Sequence, residues 1–341
     1  MAAESMRALA FGQAVQRHEQ FGLALRPATL HPGYVAADAT RDARLLPTYL
    51  AYESQGECWM HSVHVTDVPG TDAKDASSPY GYGGPLATTH DPAFSGAAWN
   101  AYCEWMREQR VVVEYVRFHP VLGNERGYGG HVIDNRQVVC VDLTVGDIAS
   151  GYAPRLRQTL KKPMRGGLVY EELPLDACPQ KFGEFYRRAM GEIGADAFYL
   201  FGDAYFARLA QSGLAKLGIC RHPASGEWLA AALFLDGRGV REYHLAATTE
   251  EGRQLAASSF LLHESAMSAR NLGMTSLYLG GGTDTSPDNA LLFFKGAFSP
   301  QRLTYRTGWH VFDTRAYDGL KERFAADWQA HPERPIFYRK V

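Results

Sequence analysis

Residues 46–68 read LPTYLAYESQGECWMHSVHVTDV, two runs rich in aromatic and β-branched residues around one polar, glycine-bearing turn. Leu46–Glu53 and Cys58–Val68 therefore read as strands folded over Ser54-Gln55-Gly56. A glycine-rich loop, Ser78–Leu86, comes next. It is followed by a helical stretch from about Ala97 to Glu108 and a short β-branched strand, Val111–Phe118. The second half of the chain repeats this order. Leu217–His222 and Trp228–Leu235 flank the turn Ala224-Ser225-Gly226, and the strand Val240–Thr248 follows. A long helix, about Leu255 to Leu272, stops at Gly273, and the strand Ser276–Leu279 runs into Gly280-Gly281-Gly282. The two helix-to-strand junctions lie about 160 residues apart, a domain-sized spacing rather than a solenoid one.

Two related α/β lobes are the expectation, 1–150 and 151–341, each a mixed sheet flanked by helices. The length of 341 residues suits that division. A formal net charge of −2 excludes wrapping of nucleic acid by charge alone, so no DNA partner is expected and any RNA contact must be a local patch. One such patch is Tyr152–Gly167, with Arg155, Arg157, Lys161, Lys162 and Arg165; it reads either as a solvated helix face or as a phosphate-binding surface. Thr314–Gln329 reads as a closing helix. The five cysteines (Cys58, Cys103, Cys140, Cys178, Cys220) form no C-x-x-C pair, so buried, reduced thiols are expected and no metal site. Glu4 and Arg7 make the start a poor signal peptide, and no run of about 18 apolar residues offers a transmembrane segment. The expected location is cytoplasmic.

Hairpin, strand, helix, strand, helix, strand is the order of the GNAT acyltransferase fold. In such a fold two central strands splay apart, and the backbone amides of the gap can steady an oxyanion as an amine attacks an acyl carbonyl. No G-x-S-x-G and no activated cysteine suggests a covalent route. Ser78-Pro79-Tyr80-Gly81-Tyr82-Gly83-Gly84-Pro85 resembles the PYGYGG loop of the FemABX-like branch of that superfamily. Glu114-Tyr115-Val116-Arg117-Phe118-His119-Pro120 is similar to the strand end that follows it there. Asp142-Leu143-Thr144 fits the lobe junction, and Tyr243-His244-Leu245 fits the central strand of the second lobe. Gly280-Gly281-Gly282 with Phe294-Lys295-Gly296-Ala297-Phe298 resembles the family's GG and F-K-x-x-F. The likeness runs from about Leu45 to Phe312.

The resemblance implies an enzyme that moves an aminoacyl group from aminoacyl-tRNA to an amine acceptor, of peptidoglycan-precursor or peptide-antibiotic type, without a cofactor. The alternative it implies is an acyl-CoA-dependent N-acyltransferase acting on a sugar or small-molecule amine; a remoter one is a non-catalytic GNAT-like binding module. CoA-using relatives carry Q/R-x-x-G-x-G/A before the long helix. Here Gln254 opens the stretch, but Ala257 and Ser259 stand where glycines would, which tilts the expectation toward aminoacyl-tRNA.

Several residues carry two readings each. Tyr80, Tyr82, Gly83 and Gly84 form either a tight connection or a ligand-facing loop. Glu114, inside an apolar strand, is either paired with an arginine for structure or a general base. Arg117, with His119 near the strand end, suits a phosphate or carboxylate. His244, after Tyr243 in the strand lining the gap, is a core histidine or the base. Lys295 is a snorkelling surface lysine or, as the resemblance implies, a charge for the donor phosphate or the oxyanion. The rings Phe198, Tyr199, Phe201, Tyr205 and Phe206 read as core.

Overall fold

The structure, a computed structural model, describes residues 5–284, 286 and 288–339. Its strands in chain order are β1 (Arg7–Ala8), β2 (Leu46–Ser54), β3 (Glu57–Asp67), β4 (Lys74–Ser77), β5 (Leu86–Ala87), β6 (Val111–Arg117) and β7 (His131–Asp142). They continue as β8 (Val169–Pro174), β9 (Ala215–Arg221), β10 (Trp228–Asp236), β11 (Val240–Thr248), β12 (Ser276–Gly280) and β13 (Arg302–Val311). The chain packs into two compact α/β units. Unit 1 comprises Met1–Leu23, Thr29–Asn135 and Tyr305–Val341; unit 2 comprises Ala24–Ala28 and Arg136–Thr304. This division differs from a single boundary at residue 150: the chain crosses at either end of Ala24–Ala28, within β7 and within β13. The physical reason is strand pairing: Thr307–Val311 lie antiparallel to Val113–Arg117 and return the C-terminal segment to unit 1.

Unit 1 orders its strands β1-β2-β3-β4-β6-β13, with β5 paired to β3. The opening hairpin forms where the sequence placed it. Ser54 pairs with Glu57, and Gln55 and Gly56 between them both take positive φ (52° and 87°), the two-residue turn whose twist suits adjoining strands. The helix Pro92–Glu108 starts five residues before the expected Ala97. Asp91 caps it by accepting from the Phe94 amide at 2.8 Å, and Pro92 sits in the first turn, where a missing N–H costs nothing. Its buried face, Phe94, Ala98, Tyr102 and Met106, packs on Trp59, Val63 and Val111 of the sheet. β4 runs parallel to β6; the other strand pairs of this sheet are antiparallel.

Unit 2 orders its strands β7-β12-β11-β10-β9-β8, with β11 and β12 parallel. The helix expected over Leu255–Leu272 is divided. Glu250–Gln254 forms a short turn, Ala256 takes the left-handed conformation (φ 57°), and Ala257–Asn271 continues to the expected end. Gly273 closes it with φ 80°: its amide donates to Arg270 O and the Met274 amide to Ala269 O, the paired bonds of a glycine-terminated helix. The core gathers Leu156 and Leu160 of the helix Pro154–Arg165, Phe260–Leu262 of the long helix, and Leu229, Phe234 and Leu277 of the sheet. Arg241 is fully buried on β11 and bidentate to both Asp236 and Glu172, so its charge is matched inside the fold. All five cysteines are free; four are buried and Cys178 is half-buried. Among the described residues no helix is long and apolar enough to cross a membrane.

Candidate active site

In unit 2 the parallel ladder between β11 and β12 holds three pairs, Val240–Ser276, Arg241–Leu277 and Glu242–Tyr278, and then stops. β11 continues for six more residues, Tyr243 to Thr248, paired on its other side with β10. The β12 ladder does not extend to those residues among the described ones, so the two strands part beyond Glu242. Pairing with β10 is also irregular here. Leu245 lies opposite Leu233 and Tyr243 opposite Phe234, which leaves His244 as the extra residue of a β-bulge. Bulges re-aim side chains, and this one falls at the mouth of the gap.

Near Tyr243 lies the end of the helix Ala290–Lys295. Asn289 fixes that helix: its Oδ1 accepts from the amides of Leu291 and Leu292 (3.0 and 3.1 Å) and its Nδ2 donates to Thr283 Oγ1 at 2.8 Å. Gly282 packs so closely on Asn289 that a Cβ there would lie 2.4 Å from it. Lys295 ends the helix. Its Nζ donates to Gly281 O at 2.9 Å and stands 5.7 Å from the ring centroid of Tyr243. The side chain is buried, with 8 % of the residue exposed, and no carboxylate among the described residues pairs with it. Burial alone lowers its pKa from 10.5 to about 8, because the ammonium loses water without gaining a counter-ion. Lys295 is therefore not a surface lysine. Phe294 and Phe298 contact each other edge to face at 5.6 Å, and Phe298 lies in the core.

His244 is half-buried and shares a 2.6 Å hydrogen bond between its Nε2 and the hydroxyl of Tyr205, a fully buried residue of the helix Asp203–Gln211. Ala257 and Ser259 point inward: both are buried, and Ala257 belongs to the hydrophobic core. Their side chains do not occupy the outer surface at the start of the helix, so the steric case against a diphosphate there loses its force.

Unit 1 has the same parallel junction between β4 and β6, but it is closed. After the last pair, Ser77–Tyr115, the Ser78 amide donates to Tyr115 O at 3.0 Å. The Arg117 amide then donates to Ser78 Oγ (3.0 Å), and the Gly83 amide donates to Arg117 O (2.7 Å). The loop expected to face a ligand thus fills the gap that remains open in unit 2. Gly83 and Gly84 have a packing reason to be glycine. A Cβ on Gly83 would lie 2.7 Å from that of Ser78, and one on Gly84, whose φ is 94°, would lie 2.7 Å from the Phe118 ring. Tyr80 is held through its backbone, its amide donating to Asp38 Oδ2 (2.8 Å) and its carbonyl accepting from Tyr34 (2.6 Å). Its half-buried ring lies under the guanidinium of Arg41 at 4.9 Å. Tyr82 meets His119 and Tyr305 edge-on at 5.0 and 5.7 Å, and Arg117 lies over the Tyr115 ring at 5.0 Å.

Glu114 departs from both of its readings. It is completely buried, and among the described residues no arginine pairs with it. His61 Nε2 at 2.8 Å and the Tyr102 hydroxyl at 2.7 Å share its Oε1, and the Tyr128 hydroxyl donates to Oε2 at 3.2 Å. Three donors satisfy the carboxylate inside the core. Burial first, and then the neighbouring Glu114, push both tyrosines well above their ordinary pKa. A general base must come within hydrogen-bond reach of the proton it takes, and a carboxylate enclosed on all sides does not. The sequence carried the partners His61, Tyr102 and Tyr128 without a pattern that links them. Arg41 and Tyr205 were missed for the same reason: each meets its partner, Tyr80 or His244, only through tertiary packing.

The cationic segment is the helix Pro154–Arg165, with Leu156, Leu160 and Pro163 facing the core and every cation exposed. Arg155 donates to Phe293 O (2.6 Å), Arg157 to Tyr152 O (2.6 Å) and Lys162 to Gln254 O (2.7 Å).

Residues 166–287 match the family described as Acetyltransferase (GNAT) domain. Over nearly the whole chain the fold is similar to that of FemX, with a TM-score of 0.70 at 13% identity, covering 94% of this chain and 99% of that one. The C-terminal DUF2156 domain of a lysylphosphatidylglycerol synthetase assigned in Agrobacterium fabrum aligns with a TM-score of 0.59 at 16% identity, covering 94% of this chain and 97% of that domain. L-PGS from Bacillus licheniformis aligns with a TM-score of 0.54 at 13% identity, over 82% of this chain and 91% of that one. No curated protein matches the chain in sequence.

Proposed function

We propose that this chain, an acyltransferase of tandem GNAT fold and FemABX-like architecture, moves an aminoacyl group from aminoacyl-tRNA to an amine acceptor. One observation carries the acyl-transfer reading. The β11–β12 ladder ends at Glu242, and the buried ammonium of Lys295, with no carboxylate partner among the described residues, lies 5.7 Å from the ring of the next residue, Tyr243. The acceptor nitrogen attacks the ester carbonyl carbon, a C–N bond forms, and the carbonyl oxygen gains negative charge. Backbone groups of Tyr243–Ala246 and the Lys295 charge are the proposed stabilisers of that charge. Collapse then breaks the bond to the ribose oxygen, which leaves with a proton while the attacking nitrogen loses one. His244 is the candidate that takes the nitrogen's proton, and Lys295, with a pKa of about 8, is suited to supply the ribose oxygen's. No covalent enzyme intermediate is needed.

The proposed acceptor class is a peptidoglycan precursor or a peptide-antibiotic amine. The tRNA reading is supported by the cations of Pro154–Arg165, which lie in the same unit as the open gap. A second reading, transfer from acyl-CoA, is favoured by the inward-facing Ala257 and Ser259, which leave the helix start unobstructed. Incubation with labelled aminoacyl-tRNA pools and, separately, with acyl-CoAs tests the choice. Consumption of the aminoacyl label and its loss after ribonuclease treatment are expected; nuclease-resistant transfer that needs acyl-CoA selects the second reading.

A further inference from the structure

The helix that ends in Lys295 also carries Phe293, a residue 64 % exposed. An aromatic side chain this open gains nothing from burial. It is nevertheless held in place: the Arg155 guanidinium stacks over it at 3.3 Å and donates to the Phe293 carbonyl at 2.6 Å. Arg155 opens the cationic helix. At that end the Ala153 amide donates to Ala297 O at 2.8 Å, just past Lys295, and at the other end Lys162 donates to Gln254 O, just before the long helix begins. The cationic helix therefore runs from the Lys295 helix to the start of Ala257–Asn271. Arg155 to Lys162 spans roughly 10 Å at the rise of an α-helix, enough for two successive phosphates of an extended strand. Lys161 and Arg165 are exposed beside it, and the helix carries no acidic residue to oppose them.

We propose that Phe293 stacked with Arg155 is a platform for an unpaired nucleobase of the donor's single-stranded 3′ end, with the Pro154–Arg165 helix tracking the adjoining phosphates. The assignment rests on the tRNA reading of the open gap and says how that donor is held. Every base has a π-face, so an exposed ring backed by a guanidinium holds a base of any identity, while a row of cations holds the backbone. Apolar side chains beside cations also suit an anionic lipid surface. The contact of Arg155 with the Phe293 ring and its carbonyl, and the place of Phe293 on the Lys295 helix, favour the nucleic acid.

The test is binding, which needs no turnover. Fluorescence anisotropy with unacylated tRNA is measured for the wild type, Phe293→Ala and Arg155→Ala, using intact tRNA and tRNA trimmed of its 3′ single strand. Phe293→Ala should weaken intact tRNA by about tenfold and leave trimmed tRNA unchanged. Lys161→Ala with Arg165→Ala should weaken both and flatten the salt dependence. Circular dichroism checks that each variant folds. If the wild type transfers from aminoacyl-tRNA yet the Phe293 and Arg155 variants bind intact tRNA unchanged, the platform is wrong and the donor reading stands. If the wild type binds no tRNA and consumes acyl-CoA, the donor reading falls and the platform with it. Phe293-dependent binding to phosphatidylglycerol vesicles without tRNA binding would make the surface a lipid contact and overturn the proposal.

Discussion

Lys295 donates its hydrogen bond to Gly281 O, the carbonyl just past the end of β12, and among the described residues no carboxylate shares its charge. A buried ammonium in that position is costly to the fold. Lys295→Met keeps the stem and removes the charge. If the charge acts on the oxyanion, kcat should fall by roughly 10²-fold with little change in KM. If it only holds donor phosphate, KM should rise while kcat stays. Steady-state kinetics on the purified variant separates these, and a fully active variant would remove Lys295 from the site.

The same lysine predicts a pH dependence of stability. Its pKa falls from 10.5 in the unfolded chain to about 8 in the fold, so the folded state binds fewer protons in that window. Stability from this group therefore rises with pH between about 8 and 10.5. Lys295→Met has no such dependence. Its stability relative to the wild type should decline by about 2 kcal/mol from pH 7.5 to 9.5. Urea denaturation at the two pH values measures the difference, and a constant gap would show that the ammonium is solvated.

Glu114 should behave as a structural residue. Glu114→Ala leaves His61, Tyr102 and Tyr128 without their shared acceptor and should destabilise unit 1 by about 3 kcal/mol or more. Glu114→Gln preserves the volume and part of the bonding, and its folded fraction should keep activity within about threefold. A Glu114→Gln protein of native stability that has lost activity by a hundredfold would return Glu114 to the chemistry.

The closure of the unit 1 junction gives a further test. Gly84→Ala places a Cβ at φ 94° against Phe118 and Asn124 and should cost about 2 kcal/mol or more in thermal or urea unfolding. An unchanged midpoint would mean that the loop shifts freely and is not the seal described.

What was legible in the sequence follows from how local each signal is. The Gln55-Gly56 turn, the glycine cap at Gly273 and the strand Val240–Thr248 are encoded in neighbouring residues, and the structure has them where expected. The break at Ala256 was not legible, since alanine rarely adopts positive φ and nothing in the local pattern announces it. The single boundary near residue 150 missed the return of β13 to β6, a pairing across nearly 200 residues. Within the candidate site, Tyr243 and His244 follow the end of the β11–β12 ladder and Lys295 lies 5.7 Å from the Tyr243 ring, a juxtaposition that only the fold creates. Periodicity put Glu114 on a buried face but could not name its partners. Gly83 and Gly84 were noticed as glycines, while the reason they are glycine, contact with Ser78 and Phe118, exists only in three dimensions.

The central claim is that the open gap of unit 2 transfers an aminoacyl group from tRNA. The most direct measurement follows a radiolabelled amino acid, charged onto tRNA, into a ribonuclease-resistant amide product in the presence of an amine acceptor, with wild type and Lys295→Met side by side. The account predicts that the wild type forms the product, that ribonuclease added before the enzyme abolishes it, and that Lys295→Met slows it by roughly 10²-fold. Label that stays on the tRNA with every acceptor, while acyl-CoA is consumed at a rate Lys295→Met leaves unchanged, would contradict both the donor and the site.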